Sequence, residues 1–205
     1  MAVHLFHYHL VTSELRDVEA RYVGKLGFDL VARYGRIGEE HVSAEAGASW
    51  EQLDREGFRL RLTEVQRGAV NVVVQPGHWR LPRVDHLGLA LDEDDFQAVL
   101  SRATHWNLPV QERGSRRTFV STNAGYRLEV HPPREWIDDL LAAGPAFRLD
   151  ELQLKADRPD EKASALADIL GLHQLGDAVD VGDTLVRFLP GGPEGRPELY
   201  AERFG

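Results

Sequence analysis

The sequence predicts an α+β fold in which one strand–helix–three-strand unit is used more than once. Three observations carry that prediction. HLFHYHLV and VDHLGLAL both read as covered strands, and each precedes a polar helix start by a few residues. The runs VVQP and EVHP close two successive units, with Val73 and Glu129 each three residues before a proline. DELQLKAD, beginning at Asp150, then follows the pattern of DHLGLALD and sets Glu151 against His86. The division that results is a first unit over residues 1–80, a second over 81–140, a shortened third over 145–190 and a tail over 191–205.

Residues 3–12 alternate with the period of a strand, both faces being partly apolar. Ser13 is placed to cap the next helix, and Glu14 and Asp17 suit its first turn. Leu15, Val18, Tyr22, Val23 and Leu26 share one helical side until Gly27 ends it. Residues 28–34 read as a second strand. From Gly35 to Gly57 the pattern weakens, and Trp50 and Leu53 mark a short inserted helix. Strands follow at 58–65 and 70–75, joined by a turn at Arg67-Gly68 and stopped by Pro76-Gly77. After HWRLPR the order restarts with a strand at 84–92 and a helix whose apolar side is Phe96, Val99, Leu100 and Ala103. Its strands are 110–112, 117–121 and 126–131. The third unit has a helix over 160–170 stopped by Gly171, and strands at 179–181 and 184–189. The closing GGPEGRPELYAERFG carries little regular signal and is expected to be mobile unless Leu199, Tyr200 and Phe204 dock.

The chain of 205 residues suffices for one well-buried domain or two small ones fused through a common core. Its net charge of −9 and the lack of a basic stripe exclude a binder of nucleic-acid phosphates. Arg113, Arg116 and Arg117 come nearest to a basic cluster and read as a solvated loop or an anion contact. No run is long enough to span a bilayer, and MAVHLFHYHLVTSE lacks the basic start and cleavage pattern of a signal peptide. The chain has no cysteine, which excludes disulfides, thiol nucleophiles, cysteine-held zinc and iron–sulfur clusters and points to a cytoplasmic setting. Any metal must therefore be held by His, Asp or Glu. Glycine-rich nucleotide motifs are missing, and the acidic run at 92–95 lacks the glycine and closing glutamate of a calcium loop, so it reads as a helix start.

The duplicated unit, with HYHLVTSELRDVEARYVGKLGF in the first copy and VDHLGLAL and NAGYRLEVHPP in the second, resembles the vicinal oxygen chelate superfamily over roughly residues 3–133. That superfamily contains glyoxalase I, extradiol ring-cleaving dioxygenases, methylmalonyl-CoA epimerase, and fosfomycin and bleomycin resistance proteins. The resemblance implies paired βαβββ modules forming a curled mixed sheet around a cleft, with a partial third module at the C-terminus. It also implies metal ligands on first and last strands: His7, its counterpart His86, and the carboxylate Glu129. Where glyoxalase I has a fourth protein ligand, this chain has Val73. The remaining set is similar to the iron site of extradiol dioxygenases and favours Fe(II). The Tyr-x-x-Asp/Glu-Pro piece of those enzymes is absent, and FVSTNAGYRLEV is nearer to the Asp-Pro-x-Gly turn of the wider superfamily in a degenerate form.

Two imidazoles and one carboxylate on one face of an octahedral ion leave three adjacent positions for substrate oxygens and water or O₂. Fe(II) there permits dioxygen chemistry. Mn, Ni, Co or Zn would instead polarise a carbonyl for an isomerase or lyase. His9 shares a strand face with His7, and His131 with Glu129, so both are candidate proton carriers or orienting partners. They leave the ligand assignment open by one strand step. Tyr126 is a third candidate catalytic residue, with packing as its plainer reading, and Glu151 is expected to face solvent from an edge strand. Trp50, Trp79 and Trp106 read as core or domain contacts, with an apolar substrate pocket as the alternative. The function expected is a metal-dependent enzyme acting on a small vicinally oxygenated or aromatic substrate, dioxygenase-like. The alternatives are a glyoxalase-like isomerase or lyase, and a metal-free ligand-sequestering protein. The partner is a small molecule, with neither nucleic acid nor membrane. The sequence leaves open whether the cleft closes within one chain or between the chains of a homodimer.

Overall fold

The computed structural model describes residues 3–113, 117–143 and 147–205. Arg116 of the arginine group and the first residues assigned to the third unit, 145 and 146, lie outside the described residues. The first module consists of β1 (Val3–Thr12), α1 (Leu15–Ala20), β2 (Asp29–Ile37), β3 (Glu40–Ala44), α2 (Trp50–Arg55), β4 (Phe58–Arg67) and β5 (Val70–Pro76). The second is β6 (Arg83–Leu91), α3 (Glu93–His105), β7 (Val110–Arg113), β8 (Arg117–Ser121) and β9 (Arg127–His131). A linking helix, α4 (Glu135–Ala143), leads to β10 (Leu149–Lys155), α5 (Pro159–Leu170), β11 (Gln174–Leu175), β12 (Ala178–Val181), β13 (Thr184–Leu189) and β14 (Glu198–Phe204).

Local chemistry explains most boundaries. Thr12, not Ser13, serves the start of α1, its hydroxyl accepting the Glu14 N–H at 3.0 Å. Ser13 instead donates to the Glu14 carboxylate. The end of α1 loosens into a π-helical turn at Arg21–Lys25 before Gly27 adopts φ +68°. Asp92 caps α3 by accepting the Asp95 N–H at 2.8 Å, with acidic residues filling the first turn. Gly171 ends α5 in the left-handed conformation. The weak stretch after β2 contains β3 as well as α2, which Ser49 caps.

All strands join one mixed sheet, and a single rule organises it. In each unit the first strand pairs in parallel with the last, as His7↔Asn71, His86↔Arg127 and Glu151↔Leu185. First strands of neighbouring units pair antiparallel, β1 with β6 and β10 with β14. Val73, Glu129 and Arg187 are therefore equivalent, opposite His9, Gly88 and Gln153 respectively. The third unit repeats the order with a β11 of only two residues. The closing segment, expected to be poor in structure, forms β14 in the place a fourth unit's first strand would take. Its anchors come from far away in the chain. Glu202 accepts hydrogen bonds from the hydroxyls of Tyr8 and Tyr22 and from Arg21, and Leu199 and Phe204 pack on the core, while Tyr200 stays exposed.

The principal core lies between the sheet and helices α1, α3 and α5, with Tyr8, Leu10, Leu87, Leu128, Leu152 and Phe188 buried in it. Each such aliphatic side chain stabilises the fold by about 1.5–3 kcal/mol. A smaller cluster of Phe6, Ile137 and Leu140 seats α4 on the opposite face of the sheet. Trp50 packs against the core and donates to buried Glu19, whereas Trp106 is largely exposed. No described helix is long and apolar enough to cross a membrane.

Candidate metal centre

The β1–β6 seam and the adjacent β9 bring the candidate residues together. His9 stands opposite His86, His7 opposite Gly88, and Gly88 in turn opposite Glu129. Two irregularities in the seam shape the site. Between Leu5 and His7 the strand takes in Phe6 as an extra residue, and between His9 and Leu10 the partner strand takes in Asp85. Successive side chains of a regular strand face opposite ways, and a bulge relaxes that rule. Asp85 can thus accept a hydrogen bond from Nδ1 of its neighbour His86 at 2.9 Å.

His7 Nε2 lies 3.3 Å from His86 Nε2, which lies 2.9 Å from Glu129 Oε2. All three residues are buried. Asn71 Oδ1 sits 2.7 Å from His7 Nδ1, and the Asn71 amide nitrogen donates to Glu64, so the amide oxygen is the atom facing the ring. Nδ1 of each imidazole thus faces an acceptor, and both Nε2 atoms face the same small volume, where a deprotonated Nε2 would present a lone pair. Burial, and next the neighbouring His86, bring the pKa of His7 down to about 3, keeping the ring neutral. Burial works to raise the Glu129 carboxyl, but its contacts with His131 and His86 outweigh it and hold the group well below the usual carboxylate range. Asp85 is held low in the same way, by His86 and Arg127 against burial.

Two such nitrogens beside an ionised carboxylate would suit a cation. Bonds of about 2.1 Å to a divalent ion place adjacent ligand atoms about 3.0 Å apart on an octahedron, close to the two spacings seen here. Gly88 makes the room. A Cβ at this position would lie 2.7 Å from His7 Cβ and 2.9 Å from its Cδ2. The residues present therefore fit a metal ion.

His9 also joins the cluster. Its ring centroid is 4.7 Å from that of His86, its Nε2 is buried without a hydrogen-bond partner, and burial holds its pKa well below the ordinary value. Nitrogens of His7, His9 and His86 lie within 4.8 Å of one another. The three histidines form one candidate cluster, and Glu129, 2.9 Å from His86 Nε2, adds a negatively charged donor beside it. His131 Nε2 is 3.0 Å from Glu129 Oε1, and its ring meets Phe6 and Trp136 edge-on at 5.7 Å each. Arg117, mostly exposed, reaches within 3.6 Å of the same oxygen.

Tyr126 is not part of this centre. It lies an odd number of residues from Glu129, and strand alternation sends it into the core, where its hydroxyl donates to the Lys162 carbonyl at 3.0 Å and burial pushes its pKa far up. Glu151 departs from expectation too. It is buried, not solvent-facing, and accepts from Arg187 at 3.0 Å and pairs with Arg203 at 3.1 Å. Sequence reasoning missed Asn71, Asp85, Gly88 and Phe119, whose ring stands 5.2 Å from that of His86. The adjacency Asp85-His86 was the one visible signal. A cleft bounded by Ser13, Arg16, Trp50, Phe58 and Gly77 contains none of the candidate metal ligands or catalytic residues, and of the three candidate pocket tryptophans it is lined by Trp50.

No protein-family model and no curated protein matches this sequence. Solved structures do match its fold. A variant of 4-hydroxymandelate synthase from Streptomyces coelicolor aligns with 91% of this chain and 62% of its own at 13% identity and a TM-score of 0.57. The Mn(II)-bound glyoxalase from Novosphingobium aromaticivorans aligns with 95% of this chain and 62% of its own at 14% identity and a TM-score of 0.56. Homoprotocatechuate 2,3-dioxygenase from Arthrobacter globiformis aligns with 94% of this chain and 61% of its own at 16% identity and a TM-score of 0.55. The chain thus has the vicinal oxygen chelate fold, and it spans about three-fifths of the length of these three structures.

Proposed function

We propose that this chain is a metal-dependent enzyme, or the metal-holding part of one, acting on a small vicinally oxygenated or aromatic substrate in the manner of an extradiol dioxygenase. The observation that carries this reading is the convergence of His7 Nε2, His86 Nε2 and Glu129 Oε2 in a buried volume with spacings of 3.3 and 2.9 Å. Two imidazoles and a carboxylate suit Fe(II), which in such a set supplies dioxygen chemistry to a substrate chelating through neighbouring oxygens. The chain's other groups have separable tasks. Asn71 and Asp85 hold the imidazoles, and His131 and Arg117 hold the second oxygen of Glu129. His9, neutral and with Nε2 unpartnered, is placed to take a proton from a substrate hydroxyl. Phe6 and Phe119, both buried, and the more exposed Trp136 offer apolar ring faces and edges beside the centre, which suits a planar substrate. A cytoplasmic setting, supported by the absence of cysteine, belongs to the same reading.

His9 also favours a second reading. Counted as a ligand, it makes four protein donors, leaving two open positions and suiting an isomerase or lyase of glyoxalase type with Mn, Ni, Co or Zn.

Elemental analysis separates these readings, using protein made without a polyhistidine tag, purified anaerobically, beside His86→Ala and Glu129→Ala. Near-stoichiometric iron, lost in both variants, together with O₂ uptake on catechols, is the expected result. Manganese, nickel, cobalt or zinc transfers the proposal to the isomerase or lyase. A chain that takes up none of these ions on reconstitution is a ligand-sequestering protein instead.

A further inference from the structure

The buried carboxylate of Asp85 takes more than the His86 proton. Arg196 donates to its Oδ1 at 2.6 Å, and Arg127 donates to the same Oδ2 that receives His86 Nδ1. Arg196 belongs to the segment before β14, remote in sequence, yet the backbone fixes it here. Val84 N–H donates to Pro197 at 2.9 Å and Leu199 N–H to Pro82 at 2.8 Å, tying the segment to β6 immediately before Asp85. A buried lysine on α5 completes the arrangement. Lys162 Nζ donates to the carbonyl of Ala124 at 2.7 Å and to that of Gly195 at 2.8 Å, clasping the turn before Arg127 to the residue before Arg196. The two turns meet backbone to backbone, because a Cβ on Gly125 would collide with Gly195.

We infer that the C-terminal unit orients the metal-binding imidazole of His86 through the Arg196–Asp85 pair, so that Arg196 and Asp85 are positioning residues of the centre, an inference that rests on the metal reading above. The physical chain has three links. Lys162 fixes both arginine-bearing segments, the guanidinium groups fix Asp85 by charge-assisted hydrogen bonds, and Asp85 fixes the tautomer and tilt of His86 so that Nε2 faces His7 and Glu129. The bulge at Asp85 is what allows a residue adjacent to a ligand to act as its support. The third unit thereby acquires a role that a packing extension would not have.

Co(II) serves as the probe, with affinity measured by competition against a chromophoric chelator and ligand geometry by visible absorption. Arg196→Met is expected to weaken Co(II) binding about 10–100-fold and to alter the absorption bands, with Arg196→Lys recovering part of both. Arg187→Met, on β13 and paired with Glu151 and Asp177 instead of Asp85, is expected to match the parent. Parent-like affinity and spectrum in a folded Arg196→Met protein would overturn the inference while leaving the metal centre standing. Should that variant fail to fold, Asp85→Asn reads the same link, and parent-like Co(II) binding in it overturns the inference equally. A parent that binds no Co(II), with His86→Ala indistinguishable from it, removes the metal reading itself and the inference with it.

Discussion

The seam between β1 and β6 and the seam between β10 and β14 are built on the same register, yet their equivalent positions differ in chemistry throughout. His86, Gly88 and Glu129 in one correspond to Glu151, Gln153 and Arg187 in the other. Across the antiparallel pairing, His9 and His7 correspond to Arg203 and Ala201. In the first seam, imidazole nitrogens and a carboxylate converge on one another. In the second, a carboxylate lies between two guanidinium groups. Burial works to raise the pKa of Glu151, and Arg187, Gln153 and Arg203 overcome it and hold the carboxyl below its ordinary value. One seam satisfies its carboxylate with arginines, and the other gathers the donors that the proposed metal reading uses. The scaffold does not decide this. A few side chains at fixed register do, which is why fold alone is a poor guide to activity.

The largest expected effect breaks the first seam. His86→Ala is expected to lose all stoichiometric metal. Parent protein at a thousandfold excess of metal over its dissociation constant should gain about 4 kcal/mol, a rise in Tm on the order of 10 °C that the variant lacks. Equal thermal shifts in parent and variant, read by calorimetry with and without metal, would show that the ion binds elsewhere. Gly88→Ala tests the room between the ligands. Its Cβ would press on His7, so metal affinity should fall about tenfold or more while the far seam and overall fold persist. Titration calorimetry checks this, and unchanged affinity would mean that the glycine serves only the backbone.

A smaller effect appears in the metal-free protein as pH changes. An unfolded imidazole takes up a proton below about 6.5, but His7 in the folded chain does so only at about 3. Between those values the unfolded state binds more protons, so stability is full above 6.5 and declines as pH falls toward 3. His9, lowered in the same direction by burial, adds to the slope. Urea denaturation at pH 7, 6 and 5 should show His7→Gln with a flatter dependence than the parent. An unchanged slope would place the titrating groups elsewhere.

What was legible in the sequence is what local chemistry determines. Period-two alternation in HLFHYHLV and VDHLGLAL marked β1 and β6, and the proline stops after Val73 and Glu129 set the unit register that the pairing shows. Alternation also held the answer for Tyr126, since a residue three positions from Glu129 faces the other way. The rest depends on partners distant in sequence. Asp85 supports His86 only because a bulge turns it, and no residue type announces a bulge. Asn71 reads as an ordinary polar residue until β5 is laid beside β1. Glu151 looks like an exposed acid until Arg187 and Arg203 arrive from β13 and β14. β14 itself is polar on paper, and Tyr8, Tyr22 and Arg21 supply what its Glu202 needs.

The remaining predictions separate support of the fold from support of the site. Arg187→Met leaves buried Glu151 with Arg203 as its remaining guanidinium partner. Because both arginines are partly exposed, the cost should be about 1–2 kcal/mol, below that of a fully buried pair, with no loss of metal. Tyr126→Phe removes one hydroxyl whose only described hydrogen bond is to the Lys162 carbonyl, and leaves the ring beside Phe188. About 1 kcal/mol is expected, read as an earlier midpoint in urea with an unchanged slope. Lys162 keeps its contacts to Ala124 and Gly195 through its ammonium group, so Arg127 and Arg196 should stay on Asp85, and Co(II) affinity should not change. A fall in affinity in this variant would mean that the clasp on α5 depends on the tyrosine. The core face and the site face of β9 would then be coupled more tightly than their opposite orientations suggest.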